Sequence, residues 1–233
     1  MRVDELEYKA VAGPFLHCEP LTDPLAFKRA KDLASRGVTV VFVTNGAYLL
    51  RRIEEIVLYP WIQWFISIPT MDDYHGFTGL DQQTLIDGIK EMQARGLHPI
   101  MVSAVSSRDE ADRIVEALPW LTPGRDIFFS SRDSRAGHVD TPYTKMTLEA
   151  PMTKIRYANY CVHPWAFMNV DVDGDVLGCC QDWSHEMIIG NIEDATFQEI
   201  YNSPKYRELR RQILDGSYMY KRCMECKKEL GYK

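Results

Sequence analysis

Cys161-Val162-His163-Pro164-Trp165, Asp173-Gly174-Asp175-Val176-Leu177-Gly178-Cys179-Cys180 and Cys223-Met224-Glu225-Cys226 together hold five of the six cysteines in this 233-residue chain. Four soft thiolates can close a metal or iron–sulfur site. Such a site staples a small domain whose own core is thin. Asp173-Gly174 lies between two apolar runs and signals a two-residue hairpin, with strands over 167–172 and 175–180. Successive side chains on a strand point to opposite faces, so only one of Cys179 and Cys180 faces the site. The hairpin brings that cysteine near Cys161, and a folded-back C-terminal segment supplies the Cys223-x-x-Cys226 knuckle. Short helices are expected over 196–202 and 205–215. Four thiolates also suit tetrahedral zinc, although zinc ribbons use two CxxC pairs and only one is present. His163 and His185 read as neighbours of a four-cysteine site rather than as its ligands.

Working back toward the N-terminus, the chain alternates short β-rich runs with amphipathic stretches. Strands are expected over 7–15, 38–43, 62–68, 99–105 and 127–129, with helices over 24–36, 49–58, 81–95 and 108–118. Gly37 and Gly96 supply C-caps, and Pro60 stops a helix. Val38-Thr39-Val40-Val41-Phe42-Val43 is a continuous β-branched run, the pattern of a strand buried on both faces. Strand–helix alternation with short connections predicts a parallel sheet with helices outside it. Such folds place their chemistry at the carboxyl ends of the strands. Residues 17–21, 44–46, 67–70, 103–107 and 130–137 are therefore the segments of interest. The charged run Arg51, Arg52, Glu54, Glu55 reads as a solvated face, and Trp61, Trp64 and Phe65 as packing around a strand. Both periodicities fade near residue 140. The division is thus a partial barrel over 1–140, a linker over 141–158 and a cysteine-rich domain over 159–233.

Composition narrows the classes further. Apolar content of 45% and charged content of 26% are ordinary for a globular protein. A net charge of −6 supplies no basic field for nucleic acid or an anionic membrane. No apolar run reaches eighteen residues, so no membrane span is expected. The acidic start, Met1-Arg2-Val3-Asp4-Glu5, does not resemble a signal peptide. A reducing cytoplasm is the expected setting, where clustered cysteines serve as ligands rather than disulfides.

Cys161-x-x-Pro164, the Asp173-Gly174 hairpin, Cys179-Cys180-Gln181-Asp182, Ile189-Gly190-Asn191-Ile192, Glu199-Ile200-Tyr201-Asn202-Ser203, Tyr206-x-x-Leu209-Arg210 and Cys223-x-x-Cys226 follow one another in order. As a set they resemble the SPASM/twitch domain of radical SAM enzymes. The resemblance implies one auxiliary [4Fe-4S] cluster in the shorter, one-cluster form. The 18-residue separation of Cys161 and Cys179 is similar to that form and favours Cys179 over Cys180. The implied ligands are Cys161, Cys179, Cys223 and Cys226. Upstream, Cys18-Glu19-Pro20-Leu21 resembles the family's Gly-Glu-Pro segment, with Cys18 read as a small core residue. Thr44-Asn45-Gly46 and Ser67-Ile68-Pro69 resemble its next two strand ends, and Ser134-Arg135-Ala136-Gly137 an Arg-Ala-Gly segment. The resemblance implies that Glu19, Asn45, Ser67 and Arg135 contact S-adenosylmethionine, with Glu19 accepting from its ammonium and Arg135 pairing with a carboxylate. Glu19 before Pro20 also reads as the cap of the next helix.

The chain departs from the family in one respect. The Cys-x-x-x-Cys-x-x-Cys motif that holds the catalytic cluster is not among these residues, because Cys18 is the only cysteine before Cys161. The first strand here resembles the second strand of the family barrel, so the edge beside it is expected to be covered by a partner chain, a dimer or a further segment. The implied function is the C-terminal portion of an oxidoreductase or maturase that modifies a peptide or small metabolite by radical chemistry. S-adenosylmethionine would be used only when the missing segment or a partner supplies the catalytic cluster. The alternative is a non-catalytic binding or regulatory module with a structural four-cysteine site for an iron–sulfur cluster or zinc. Asp182, Trp183 and His185 follow the cysteine pair and read as loop residues or substrate contacts.

Overall fold

The computed structural model describes residues 10–13, 16–68, 75–76, 79, 81–105, 107–131 and 160–230. These fall in two compact units, over 10–131 and 160–230. The expected linker at 141–158 and Arg135 lie outside the described residues.

The first unit is built from β1 (Val11–Ala12), α1 (Ala26–Ser35), β2 (Thr39–Thr44), α2 (Ile53–Ile56), β3 (Gln63–Ser67), α3 (Gln82–Ala94), β4 (Ile100–Val105), α4 (Arg108–Ala117) and β5 (Ile127–Ser131). Short 3-10 turns at Pro20–Thr22 and Leu50–Arg52 lead into α1 and α2. All neighbouring strands are parallel and run in chain order, β1-β2-β3-β4-β5. A doubly wound sheet reverses its strand order at a switch point. This sheet never does, so each strand–helix unit adds to the same edge, as in an arc of a (β/α) barrel.

Local chemistry explains the elements. Asp81 caps α3 by accepting from the Thr84 N–H at 2.9 Å, and Ser107 caps α4 through the Glu110 N–H. Gly37 and Gly96 end their helices with φ of 79° and 80°, a conformation that costs glycine no Cβ clash. The helix expected over 49–58 is shorter, a 3-10 turn running into the single helical turn Ile53–Ile56.

The expectation that the 38–43 run is buried on both faces is corrected. Along β2, Val40, Phe42 and Thr44 are buried, while Thr39, Val41 and Val43 are half-buried. The buried face meets the helix layer. Phe27 of α1 lies 5.6 Å from Phe42, whose ring meets Trp64 edge-on at 5.0 Å, a favourable aromatic geometry. The opposite face faces no comparable packed layer among the described residues, so β-branching there reflects strand propensity rather than burial. Val11 of β1 is 68% exposed at the sheet edge.

The second unit contains α5 (His163–Ala166), the antiparallel sheet β6 (Asn169–Val170), β7 (Asp175–Leu177) and β8 (Ile188–Asn191), and then α6 (Phe197–Tyr201), α7 (Pro204–Asp215) and α8 (Lys221–Leu230). The hairpin differs from a two-residue turn. Asp171 N–H donates to Asp175 O at 3.0 Å, leaving Val172-Asp173-Gly174 as a three-residue loop. Gly174 closes it at φ 84°, the left-handed residue such loops require. The Asp171 carboxylate accepts from the N–H groups of Asp173 and Asp175, which selects the longer turn. The helices expected over 196–202 and 205–215 are present. Thr196 and Glu199 make a reciprocal capping box, and Ser203 caps α7. The core is Val176, Ile189, Ile200, Tyr206, Leu209 and Ile213.

Candidate metal centre

Cys161, Cys179, Cys223 and Cys226 line one cavity in the second unit. Gly178, Met187, Leu209 and Ile213 give it apolar walls, and His163, Gln181, Tyr218, Arg222 and Lys227 complete it. Three separate elements bring the thiols there. Cys161 precedes α5. Cys179 follows β7, whose last residue is Leu177, so both Cys179 and Cys180 lie in a turn rather than on a strand. Strand alternation therefore does not choose between them. Cys179 lines the cavity, whereas Cys180 Sγ lies 3.8 Å from His163 Nε2. Cys223 and Cys226 stand on α8 rather than in a turn-type knuckle. Residues three apart on a helix share a face, so both sulfurs reach the same wall. Among the described residues no three His, Cys, Asp or Glu side chains converge on a single-ion site; the four thiols surround a void.

The surrounding scaffold holds these segments from behind. The segment after Cys161 is gripped by three donors from the helices. Arg210 Nε donates to Pro164 O at 2.8 Å, Tyr201 OH to Trp165 O at 3.2 Å and Tyr206 OH to Phe167 O at 3.1 Å. Arg210 is itself stacked between the Tyr201 and Tyr206 rings, at 3.8 and 4.1 Å from their centroids. The turn after Cys179 is tied by Asp182. That side chain is fully buried and accepts from the Glu186 and Met187 N–H groups at 3.0 and 2.7 Å. Asp182 thus organises the loop and does not present a group to a substrate; Trp183 and His185 are exposed. Gly178 permits the close approach of α7, since a Cβ there would stand 2.7 Å from Leu209 Cδ2.

Electrostatics fit a site that binds metal in exchange for protons. Burial pushes the Cys161 thiol up, opposed by a backbone N–H from His163. The Cys223 thiol is pushed up to about 12, first by burial and then by the neighbouring Cys179, Cys161 and Asp182. Cys179 is raised by its hydrogen bond to Cys180 and by burial, and the same bond lowers Cys180. The Tyr218 hydroxyl is raised by burial and then by Cys161, Cys223 and Cys226. Clustered buried thiols repel as thiolates, and a cation relieves that repulsion. Gln181 N–H already donates to Cys179 Sγ at 3.3 Å, a bond that favours the thiolate.

In the first unit, Glu19, Asn45 and Ser67 occupy the carboxyl-end rim of the sheet. The register pairs Thr44 with Ile66, which sets Asn45 beside Ser67. Glu19 Oε1 accepts from Leu21 N–H at 3.0 Å and from Thr44 Oγ1 at 2.7 Å, and Oε2 accepts from Asn45 N–H at 2.8 Å. It also caps the Pro20–Thr22 turn, as the sequence suggested. Asn45 Oδ1 accepts from Ala47 N–H at 3.0 Å. Gly46 adopts φ 81°, where a Cβ would meet Leu85 Cδ1 at 2.3 Å. Cys18 is exposed rather than a core residue, because it lies in the turn before Glu19 and outside the packed layer. Arg52 is not part of a solvated face. Its guanidinium covers Phe27 at 4.8 Å and donates to Leu21 O and Asp23 O at 3.0 and 2.9 Å, anchoring the loop that carries Glu19. Arg52 also pairs with Glu55, but its anchoring role was invisible in sequence because Leu21 O and Asp23 O are backbone carbonyls about thirty residues away.

Residues 161–227 match the SPASM family, an iron–sulfur cluster-binding domain. The resemblance read from the ordered motifs is thereby shown. No curated protein matches the chain. Among solved structures, native anSMEcpe with bound AdoMet and Cp18Cys peptide is similar with a TM-score of 0.64 at 12% identity, over 96% of this chain and 74% of that one. The complex of BtrN with AdoMet and 2-DOIA matches at TM-score 0.47 and 16% identity, over 93% of this chain and 72% of that one. BtrN in an open conformation matches at TM-score 0.44 and 15% identity over 88% of this chain, which spans 65% of that one. At these identities the likeness to anSMEcpe is one of fold: a partial α/β barrel followed by a three-stranded SPASM region. No helix among the described residues is long and apolar enough to cross a membrane.

Proposed function

We propose that this chain is a radical SAM/SPASM-type oxidoreductase or maturase component that holds one auxiliary [4Fe-4S] cluster on Cys161, Cys179, Cys223 and Cys226. The observation that carries this reading is the convergence of four thiols, from three separate elements, on one apolar cavity in the SPASM-matching region. The donor set fits the group. The four cysteines are half-buried, Cys179 receives a backbone N–H bond, and much of the wall is apolar. A cluster bound there supplies one-electron transfer at a potential set by its surroundings. The chain's own residues do the rest. Arg210, Tyr201 and Tyr206 hold the Cys161 segment, Asp182 holds the Cys179 turn, and α8 presents Cys223 and Cys226 from one face.

Glu19, Asn45 and Ser67 at the barrel rim, together with Arg135, which lies outside the described residues, make up the proposed S-adenosylmethionine site. Glu19 already accepts three hydrogen bonds, and a carboxylate has about four acceptor positions, which leaves one for an ammonium. Use of that cofactor requires a catalytic cluster from a further segment or a partner chain, which would also cover the β1 edge. A peptide is the favoured substrate class over a small metabolite, since anSMEcpe was solved with a peptide bound. The cytoplasm is the proposed location.

Anaerobic purification and reconstitution, followed by iron, zinc and acid-labile sulfide analysis, tests the cluster. About four irons and four sulfides per chain are expected, with loss of both in Cys161→Ala. One zinc without sulfide would instead leave a structural module on an enzyme scaffold.

A further inference from the structure

We propose that the Tyr218 hydroxyl donates a hydrogen bond to a sulfur of the cluster held by Cys161, Cys179, Cys223 and Cys226, and so raises its reduction potential. This inference rests on the cluster reading above and assigns a residue that tunes the cluster without binding it. Tyr218 lies in the short connection between α7 and α8. It packs against the core of the unit and lines the same cavity as the four cysteines. Lys227 Nζ sits 5.0 Å from its ring centroid and helps fix the ring.

The hydroxyl oxygen is buried and has no hydrogen-bond partner among the described residues. That sets Tyr218 apart from Tyr201 and Tyr206 in the same unit, each of which donates to a backbone carbonyl. Buried tyrosine hydroxyls ordinarily find a partner, and an unmet one is a standing penalty. Of the other lining side chains, Met187, Leu209 and Ile213 are apolar and Arg222 and Lys227 only donate, while Gln181 and His163 carry acceptors that make no bond to Tyr218. The sulfurs of a bound cluster and its thiolates are acceptors that carry negative charge, and a donor aimed at them gains a charge-assisted bond. Reduction adds a further negative charge, so the bond is stronger in the reduced state. The reduced form is then favoured and the potential rises.

The test uses the full chain, reconstituted anaerobically, as wild type, Tyr218→Phe and Tyr220→Phe. Tyr220 is close in sequence but does not line the cavity. Iron and sulfide per chain, the midpoint potential and the electron paramagnetic resonance spectrum of the reduced state are measured for each. Tyr218→Phe is expected to keep its iron and sulfide while its reduced-to-oxidised ratio at a fixed potential falls about tenfold, which is about 59 mV for a one-electron couple. Tyr220→Phe is expected to match wild type. A loaded Tyr218→Phe protein with the wild-type potential and spectrum overturns the inference and leaves the cluster reading intact. A wild-type chain that takes up no iron and sulfide removes the cluster reading, and the inference with it.

Discussion

Asp182 and the adjacent cysteine pair set the terms at the scale of single residues. The buried Asp182 carboxylate accepts the N–H groups of Glu186 and Met187, and Asp182→Ala strands the buried Met187 donor while the exposed Glu186 N–H meets water. A buried donor left unmade costs about 1–3 kcal/mol, and the 160–230 unit should lose about that much stability in denaturant unfolding. An unchanged midpoint would mean that water replaces the carboxylate. Cys179 and Cys180 separate by a different measurement. Cys179→Ser should lose the cluster, whereas Cys180→Ser should retain about four irons per chain; the opposite result would make Cys180 the ligand. Sequence resemblance favoured Cys179 through its spacing from Cys161, and Cys179 is among the residues that line the cavity. The strand argument for the same pair had no footing, because β7 stops two residues earlier. Arg52 and Arg210 were illegible for a shared reason. Each binds main-chain carbonyls, and those partners carry no side-chain signature.

Elements were most legible where a helical period ended in a C-cap glycine, as at Gly37 and Gly96. They were least legible where tertiary contacts decide. β8 carries Ile189 and Gly190 in a motif recognised by order, yet four residues with one glycine give little strand periodicity. α8 was hidden by its cysteines, which read as a knuckle. The 49–58 stretch shows packing overriding pattern. Gly88 of α3 lets Leu49 approach so closely that a Cβ at Gly88 would lie 2.8 Å from Leu49 Cβ. Gly88→Ala should therefore cost about 1–3 kcal/mol through overpacking, despite the better helix propensity of alanine. A thermal scan that finds the variant as stable as wild type would show that the Leu49 segment gives way freely. At the Thr44-Asn45-Gly46 turn the left-handed φ of 81° at Gly46, with Leu85 Cδ1 in the space of a missing Cβ, accounts for the glycine.

For the whole molecule, the residues present determine which chemistry it performs alone. With Cys18 as the only cysteine before Cys161, the chain lacks three thiolates for a catalytic cluster in the barrel unit. Reconstituted chain incubated with S-adenosylmethionine and a strong reductant should release no 5′-deoxyadenosine by chromatography. Release of that product by the chain alone would place a second cluster where no ligands are evident. The partial barrel was legible in the alternation of strands and helices, and the strand order confirms that it is an arc. The half-buried inner face of β2 was not, since sequence reports apolar side chains but not what covers them. The placement of Cys223 and Cys226 on α8 has a further consequence for biogenesis. On the proposed ligand set, Cys161 and Cys179 leave the ribosome well before the helix that carries Cys223 and Cys226, and the loop between the halves must close before four sulfurs surround one void. Cluster delivery would then be a late event. Cells that synthesise this protein faster than they can supply iron and sulfide should accumulate a chain whose barrel is folded and whose second unit awaits its staple.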